Sequence, residues 1–283
     1  MQEGSFEGIG GLNIFTRAWK PEGAPRAVVV ISHGFNSHSG QYLWAGEQFA
    51  AAGFATYALD HRGRGRSDGE RFYVDKFTDF TGDLATFIDM AKAENPGLPV
   101  YLLGHSAGGV ISCGYAIENP TALDGLICES FAFKLPVPDL VLAALRGVAY
   151  LMPHLHVFAL NNKDFSRDPA VVESMNNDPL IKGESQPAET AAEMVRADQM
   201  LEKCFDKITI PVLILHGTED KATRPDGSRF FYDNAGSADK TLKLYEGHYH
   251  DLLNDIDKEI VMADIVSWVD ERIPARHKAG ARA

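Results

Sequence analysis

Three short apolar runs constrain this chain more than any other feature: Ala27 to Ser32 (AVVVIS), Pro99 to Leu103 (PVYLL) and Pro211 to Leu215 (PVLIL). They are rich in β-branched residues and do not alternate with polar ones, which suits strands of a parallel sheet buried on both faces. Phe54 to Asp60 and Leu126 to Cys128 are weaker strand candidates. Thr241 to Tyr245 alternates as TLKLY, the pattern of a strand nearer an edge, which makes at least six strands. Helical patterns fall between them, at Tyr42 to Ala52, Phe77 to Glu94, Ala107 to Glu118 and Ile256 to Arg272, and Gly53, Asn95-Pro96 and Asn119-Pro120 close the first three. In the second, Phe77, Phe80, Leu84, Phe87, Ile88 and Ala91 form one apolar stripe. The prediction is an α/β fold: a mostly parallel central sheet flanked by helices, with ligands outside the carboxyl ends of the strands.

Phe131 to about Lys207 breaks this rhythm and reads as wholly helical, with starts at Asp168-Pro169 and Gln186-Pro187. It divides the chain into a core, 1–130 with 208–283, and a helical cap insertion at 131–207.

Composition excludes several classes. The net charge of −12 opposes neutralisation of phosphates, so nucleic acid is not an expected partner. The Arg62-Gly63-Arg64-Gly65-Arg66 run lies in a loop after a strand and reads as part of that loop. Met1 to Gly11 carries Glu3 and Glu7 and no apolar stretch, unlike a secretory signal. The most apolar window, Leu135 to Met152, is broken by Pro136, Pro138, Asp139 and Arg146 and does not make a bilayer span. Cys113, Cys128 and Cys204 form no C-x-x-C pair and read as buried thiols of a reducing compartment. The expectation is a cytoplasmic protein. Pro274 to Ala283 reads as a solvated tail.

The strongest chemical signal is Gly104-His105-Ser106-Ala107-Gly108, between the strand Pro99 to Leu103 and the helix Ala107 to Glu118. G-x-S-x-G in this strand–turn–helix setting is a nucleophile elbow, a cramped turn that exposes the serine hydroxyl above the sheet. A serine needs a histidine to take its proton and a carboxylate to orient that histidine, in the chain order serine, acid, histidine. The strand Pro211 to Leu215 runs into His216-Gly217-Thr218-Glu219-Asp220, which makes Asp220 the candidate acid, with Glu219 and Asp226 as alternatives. The strand Thr241 to Tyr245 leads to His248-Tyr249-His250, and spacing does not separate the two histidines. The oxyanion donors in such a site are two backbone amides. They are read as Ala107, after the nucleophile, and Phe35, in the loop Ser32-His33-Gly34-Phe35-Asn36.

Together these residues resemble the α/β-hydrolase superfamily, in its branch of monoacylglycerol lipases and lysophospholipase-like serine esterases. The resemblance spans nearly the whole chain. It rests on His33-Gly34-Phe35, Leu59-Asp60-His61-Arg62-Gly63-Arg64-Gly65-Arg66-Ser67, Gly104-His105-Ser106-Ala107-Gly108-Gly109, His216-Gly217-Thr218-Glu219-Asp220 and Tyr245-Glu246-Gly247-His248-Tyr249-His250. It implies that Asp220 is the acid and His250 the histidine, and that the cap carries an acyl-binding groove, for which the apolar residues Leu140 to Met152 are suited. Asn36 and Ser37 stand where the branch usually has glycine and glutamate, and Ala107 where methionine is common.

The expected function is therefore hydrolysis of carboxylic esters such as monoacylglycerols through Ser106, Asp220 and His250. The substrate is a small acyl ester, no cofactor or metal is required, and the apolar cap offers peripheral contact with lipid. A lysophospholipase, a short-chain esterase and a non-catalytic binding protein on the same fold are the alternatives. Zinc binding through His248-Tyr249-His250-Asp251 is a third class, for which the sequence supplies no second ligand cluster.

Overall fold

Strand and helix alternate through the computed structural model, which describes residues 1–133 and 139–275. In chain order the elements are β1 (Gln2–Glu7), β2 (Asn13–Trp19), β3 (Ala27–Ser32), α1 (Leu43–Ala51), β4 (Phe54–Leu59), α2 (Phe77–Glu94), β5 (Val100–His105), α3 (Ala107–Glu118) and β6 (Gly125–Glu129). They continue with α4 (Asp139–Leu151), β7 (His156–Phe158), α5 (Pro169–Asn177), β8 (Gln186–Pro187), α6 (Ala188–Glu202), β9 (Val212–Gly217), α7 (Pro225–Asn234), β10 (Lys240–Tyr245) and α8 (Lys258–Arg272).

Among the described residues, eight strands form one sheet in the order β1-β2-β4-β3-β5-β6-β9-β10. From β4 to β10 every pairing is parallel, while β1 and β2 add an antiparallel flank. The apolar runs are continuous because both faces of these strands are covered. Val28 and Val30 pack with Leu84, Ile88, Leu102 and Val110 on one face; Val29 and Ile31 pack with Phe49, Leu103, Ile265 and Trp268 on the other. The predicted stripe of α2 is buried at all six positions. The alternating strand β10 lies at the edge, half-exposed.

The structure departs from the sequence reading in three places. β1 and β2 were not anticipated, because an antiparallel flank needs no continuous apolar run and β1 is exposed at all positions but Phe6. The short helix α7 was also missed; its only local signal is Pro225 at the first turn. The insertion between β6 and β9 is mainly helical but not wholly so, since β7 and β8 pair antiparallel within it. Its helix starts fall where the sequence placed them: the Asp168 side chain accepts from Ala170 N–H at 2.9 Å and caps α5, and α6 follows Pro187.

Cys113 and Cys128 are buried with sulfurs 3.8 Å apart, a thiol–thiol hydrogen bond and not a disulfide, whereas Cys204 is half-buried rather than buried. Among the described residues no helix is long and apolar enough to cross a membrane. The tail read at Pro274 to Ala283 and the start of the Leu135 to Met152 window lie largely outside the described residues.

Candidate active site

Ser106 joins β5 to α3 with φ 55° and ψ −120°, a conformation that L-residues rarely adopt. The glycines around it show why the turn is so tight. A Cβ on Gly104 would lie 2.5 Å from the Gly108 carbonyl oxygen, and one on Gly108 would lie 2.0 Å from that of Ser32. The helix therefore starts pressed against the end of β3, and Ser106 is presented at the carboxyl edge of the sheet. Gly34 completes the approach from the other side: a Cβ there would sit 2.8 Å from Ser106 Cβ. The loop after β3 thus reaches the candidate nucleophile only because residue 34 has no side chain.

Asp220 and His250 arrive at the same edge from the loops after β9 and β10. His250 Nδ1 lies 2.8 Å from Asp220 Oδ2, and both side chains are fully buried. His250 Nε2 has no hydrogen-bond partner among the described residues. The Asp220 carboxylate is held by four further donors: His216 Nε2 at 3.1 Å, the Thr223 hydroxyl at 2.8 Å, and the amides of Ala222 and Thr223 at 2.8 and 2.9 Å. Burial alone would push its pKa up, but the charge of His250 and the hydrogen bonds from His216 and His250 outweigh burial and hold it far below the usual carboxylate range. Asp220 is a fixed anion. Glu219 and Asp226 are exposed, and His248 turns away to lie 3.9 Å from Asp255.

The loop after β3, the candidate oxyanion loop, is braced by histidines. His33 Nε2 accepts from His61 N–H at 2.9 Å, so its proton is on Nδ1, and Nδ1–H donates to the Gly34 carbonyl at 2.7 Å. That carbonyl belongs to the same peptide plane as Phe35 N–H, and pinning one end fixes the direction of the other. Burial pushes the pKa of His33 down to about 4, which keeps it neutral and this bonding pattern intact. The guanidinium of Arg64, itself buried, stacks on the Phe35 ring at 4.3 Å and donates to Gln186 of the insertion at 2.5 Å.

The other arginines of that run are also spent internally: Arg62 pairs with Asp83 and Arg66 with Glu3, each at 2.8 Å. Between β6 and β9, Phe165 reaches the site, its ring meeting the His250 ring edge-to-face at 4.9 Å.

The histidines considered for zinc point to different partners, His250 to Asp220 and His248 toward Asp255. A different trio, His105, Glu129 and Asp251, brings one ligand atom each within 4.8 Å of one another, fully buried beside His250. Two of these already serve the loop after β10: Glu129 accepts from Leu253 N–H at 3.0 Å, and Asp251 from the Asn254 side chain at 3.0 Å. Sequence reasoning missed His216, Thr223, Arg64 and Glu129. Only His216, in a His-Gly pair after a strand like His33-Gly34, left a signal that could have been read.

Comparison with known proteins defines the class first. The chain belongs to the family described as "Serine aminopeptidase, S33", whose model matches residues 23–257, and its fold is that of the α/β hydrolases. Among individual relatives, it is 35% identical over 269 residues to a monoacylglycerol lipase of Mycolicibacterium smegmatis, covering 94% of this chain and 96% of that protein. It is 33% identical over 277 residues to the monoglyceride lipase of Rattus norvegicus, covering 96% and 90%. The crystal structure of the Paleococcus ferrophilus monoacylglycerol lipase superposes with a TM-score of 0.83 at 28% identity, over 92% of this chain and 99% of that one.

Proposed function

We propose that this protein hydrolyses carboxylic esters, with monoacylglycerols as the substrate class, through Ser106, His250 and Asp220. The observation that carries the reading is the buried 2.8 Å contact between His250 Nδ1 and a fully bonded Asp220 carboxylate, which leaves Nε2 as the only ring nitrogen free for chemistry. Ser106 Oγ attacks the ester carbonyl as Nε2 takes its proton. Asp220 keeps the imidazole in the Nδ1–H tautomer and stabilises the imidazolium. The amides of Phe35 and Ala107 hold the oxyanion. The imidazolium then protonates the leaving alcohol, and water, activated by the same histidine, releases the acid and restores Ser106.

Segment 131–207 acts as the cap over this site in our reading. A shallow surface depression beside Asn36 is lined by Asn161, Asn162, Asn176 and Glu184 together with Leu160 and Ile181. Tyr150, Leu151, Met152, Leu155, Val157 and Phe158 are exposed together at the end of α4 and along β7. A patch of this kind supports peripheral contact with a lipid surface. The internal pairing of Arg62, Arg64 and Arg66, with the net charge of −12, speaks against nucleic acid as a partner. The free thiols of Cys113 and Cys128 fit a reducing, cytoplasmic setting.

The test is fatty-acid release from a long-chain monoacylglycerol beside a short-chain p-nitrophenyl ester, with Ser106→Ala protein as the blank and a chelator arm. Release from both substrates, lost in the variant and indifferent to chelator, is expected. Cleavage of the short ester alone would keep the triad and remove the lipid assignment. An aminoacyl anilide cleaved faster than either ester would favour the peptidase chemistry in the family's description, and no turnover of any substrate would favour a binding protein.

A further inference from the structure

One residue of the candidate site touches two of the segments that must stay in register for the reaction. Glu129 ends β6, the strand between β5, which leads to Ser106, and β9, which leads to Asp220. Its backbone carbonyl accepts from Ser106 N–H at 2.9 Å. Its side chain, fully buried, reaches the loop after β10, where Oε1 accepts from Leu253 N–H at 3.0 Å, three residues beyond His250. The neighbouring Ser130 extends the pattern to the acid: its N–H donates to the Leu215 carbonyl at 2.8 Å, and its own carbonyl lies 3.2 Å from the hydroxyl of Thr223, the residue that donates to Asp220. The pair Glu129-Ser130 is therefore bonded to the carriers of nucleophile, base and acid.

A buried glutamate is a costly way to satisfy backbone amides of one loop, here those of Leu253 and Leu252, so its presence calls for a purpose. The surrounding groups are His105, Asp251 and Tyr42, with His250 beyond His105. Burial, and then the charge of Asp251, push the Glu129 pKa well up, and burial likewise raises that of Asp251 to about 6. Both shifts favour protonation of this carboxyl pair over two anions side by side next to His250.

We propose that Glu129 is a positioning residue for the hydrolytic reaction: its side chain fixes the loop that carries His250 against the strand turn that carries Ser106. The proposal rests on the triad reading above. Ser106 attack requires His250 Nε2 at hydrogen-bond distance, and a shift of about 1 Å costs on the order of a hundredfold in rate. Without the Glu129 acceptor, the turn Asp251 to Asn254 loses its side-chain tie to β6.

The experiment compares Glu129→Met, which keeps the bulk and removes the acceptor, with Glu129→Gln, which keeps an acceptor oxygen, using a soluble p-nitrophenyl ester. Folding is monitored by near-ultraviolet circular dichroism. Folded Glu129→Met is expected to lose about tenfold or more in kcat with KM within about twofold, while Glu129→Gln stays within about threefold of the parent. Folded Glu129→Met with unchanged kcat would overturn the proposal, and so would Glu129→Gln falling as far as Glu129→Met. If Glu129→Met does not fold, amide exchange of the unaltered protein decides: Leu253 N–H is expected to be protected, and exchange at the rate of an open loop overturns the inference. Ser106→Ala separates the two levels. An active Ser106→Ala protein would sink the triad itself, whereas a dead one beside an unimpaired Glu129→Met would sink only the positioning role.

Discussion

The peptide group between Gly34 and Phe35 shows how much of the proposed chemistry depends on single hydrogen bonds. Its carbonyl is held by His33, whose proton is placed on Nδ1 by the His61 amide, and its N–H is the second oxyanion donor in our reading. Loss of one oxyanion donor costs on the order of 10²–10³ in kcat. His33→Ala leaves the donor in place but frees its plane, so a smaller loss is expected, about 10-fold to 100-fold in kcat with little change in KM. Steady-state kinetics on a soluble ester check this, and a folded variant with the parent kcat would show that the backbone alone holds the plane. Asp220 illustrates the opposite case, in which one carboxylate is held by five donors so that no single one decides its position.

At the level of elements, the end of α4 and the strand β7 present large apolar side chains to solvent, with Tyr150 87% and Leu151 76% exposed. If this face meets lipid, Leu151→Asp lowers activity on dispersed long-chain monoacylglycerol several-fold and leaves a soluble short ester unaffected. Equal loss on both substrates would point to damage in the fold instead. The same scale shows what was legible beforehand. β3, β5 and β9 stood out because burial on both faces demands continuous apolar runs, and α2 because burial on one face demands a stripe. β1, with the sequence QEGSFE, left no such trace because its edge position asks only Phe6 to be buried. The elbow at Ser106 and the acid and histidine loops could be read from strand–loop order. The choice between His248 and His250 could not be made from spacing, because it depends on which loop residue faces Asp220 after folding. Thr223 and Glu129 were invisible for the same reason: their partners Ser130 and Leu253 lie 93 and 124 residues away.

For the molecule as a whole, the buried titratable groups set how stability follows pH. Burial pushes His33 to about 4 and His61 and His105 well below their ordinary 6.5, so below that value the unfolded chain binds protons that the folded chain refuses. These groups make stability fall as pH falls through 6.5 toward 4. Glu129 and Asp251, raised by burial, act in the opposite sense, since the folded chain keeps protons that the unfolded chain has lost. His248 is shifted downward by burial as well, so four imidazoles stand against two carboxyls, and the net expectation is a Tm lower at pH 5 than at pH 7 by scanning fluorimetry. A Tm that rises on acidification would show that the carboxyls dominate.

In our reading Ser106 is a nucleophile activated by His250, which Asp220 orients. The most direct test is reaction with a fluorophosphonate, followed by intact mass and peptide mapping. A single adduct on Ser106 is expected, absent in Ser106→Ala and formed about 10³-fold or more slowly in His250→Ala. An adduct on another residue, or labelling undiminished by the loss of His250, would contradict it.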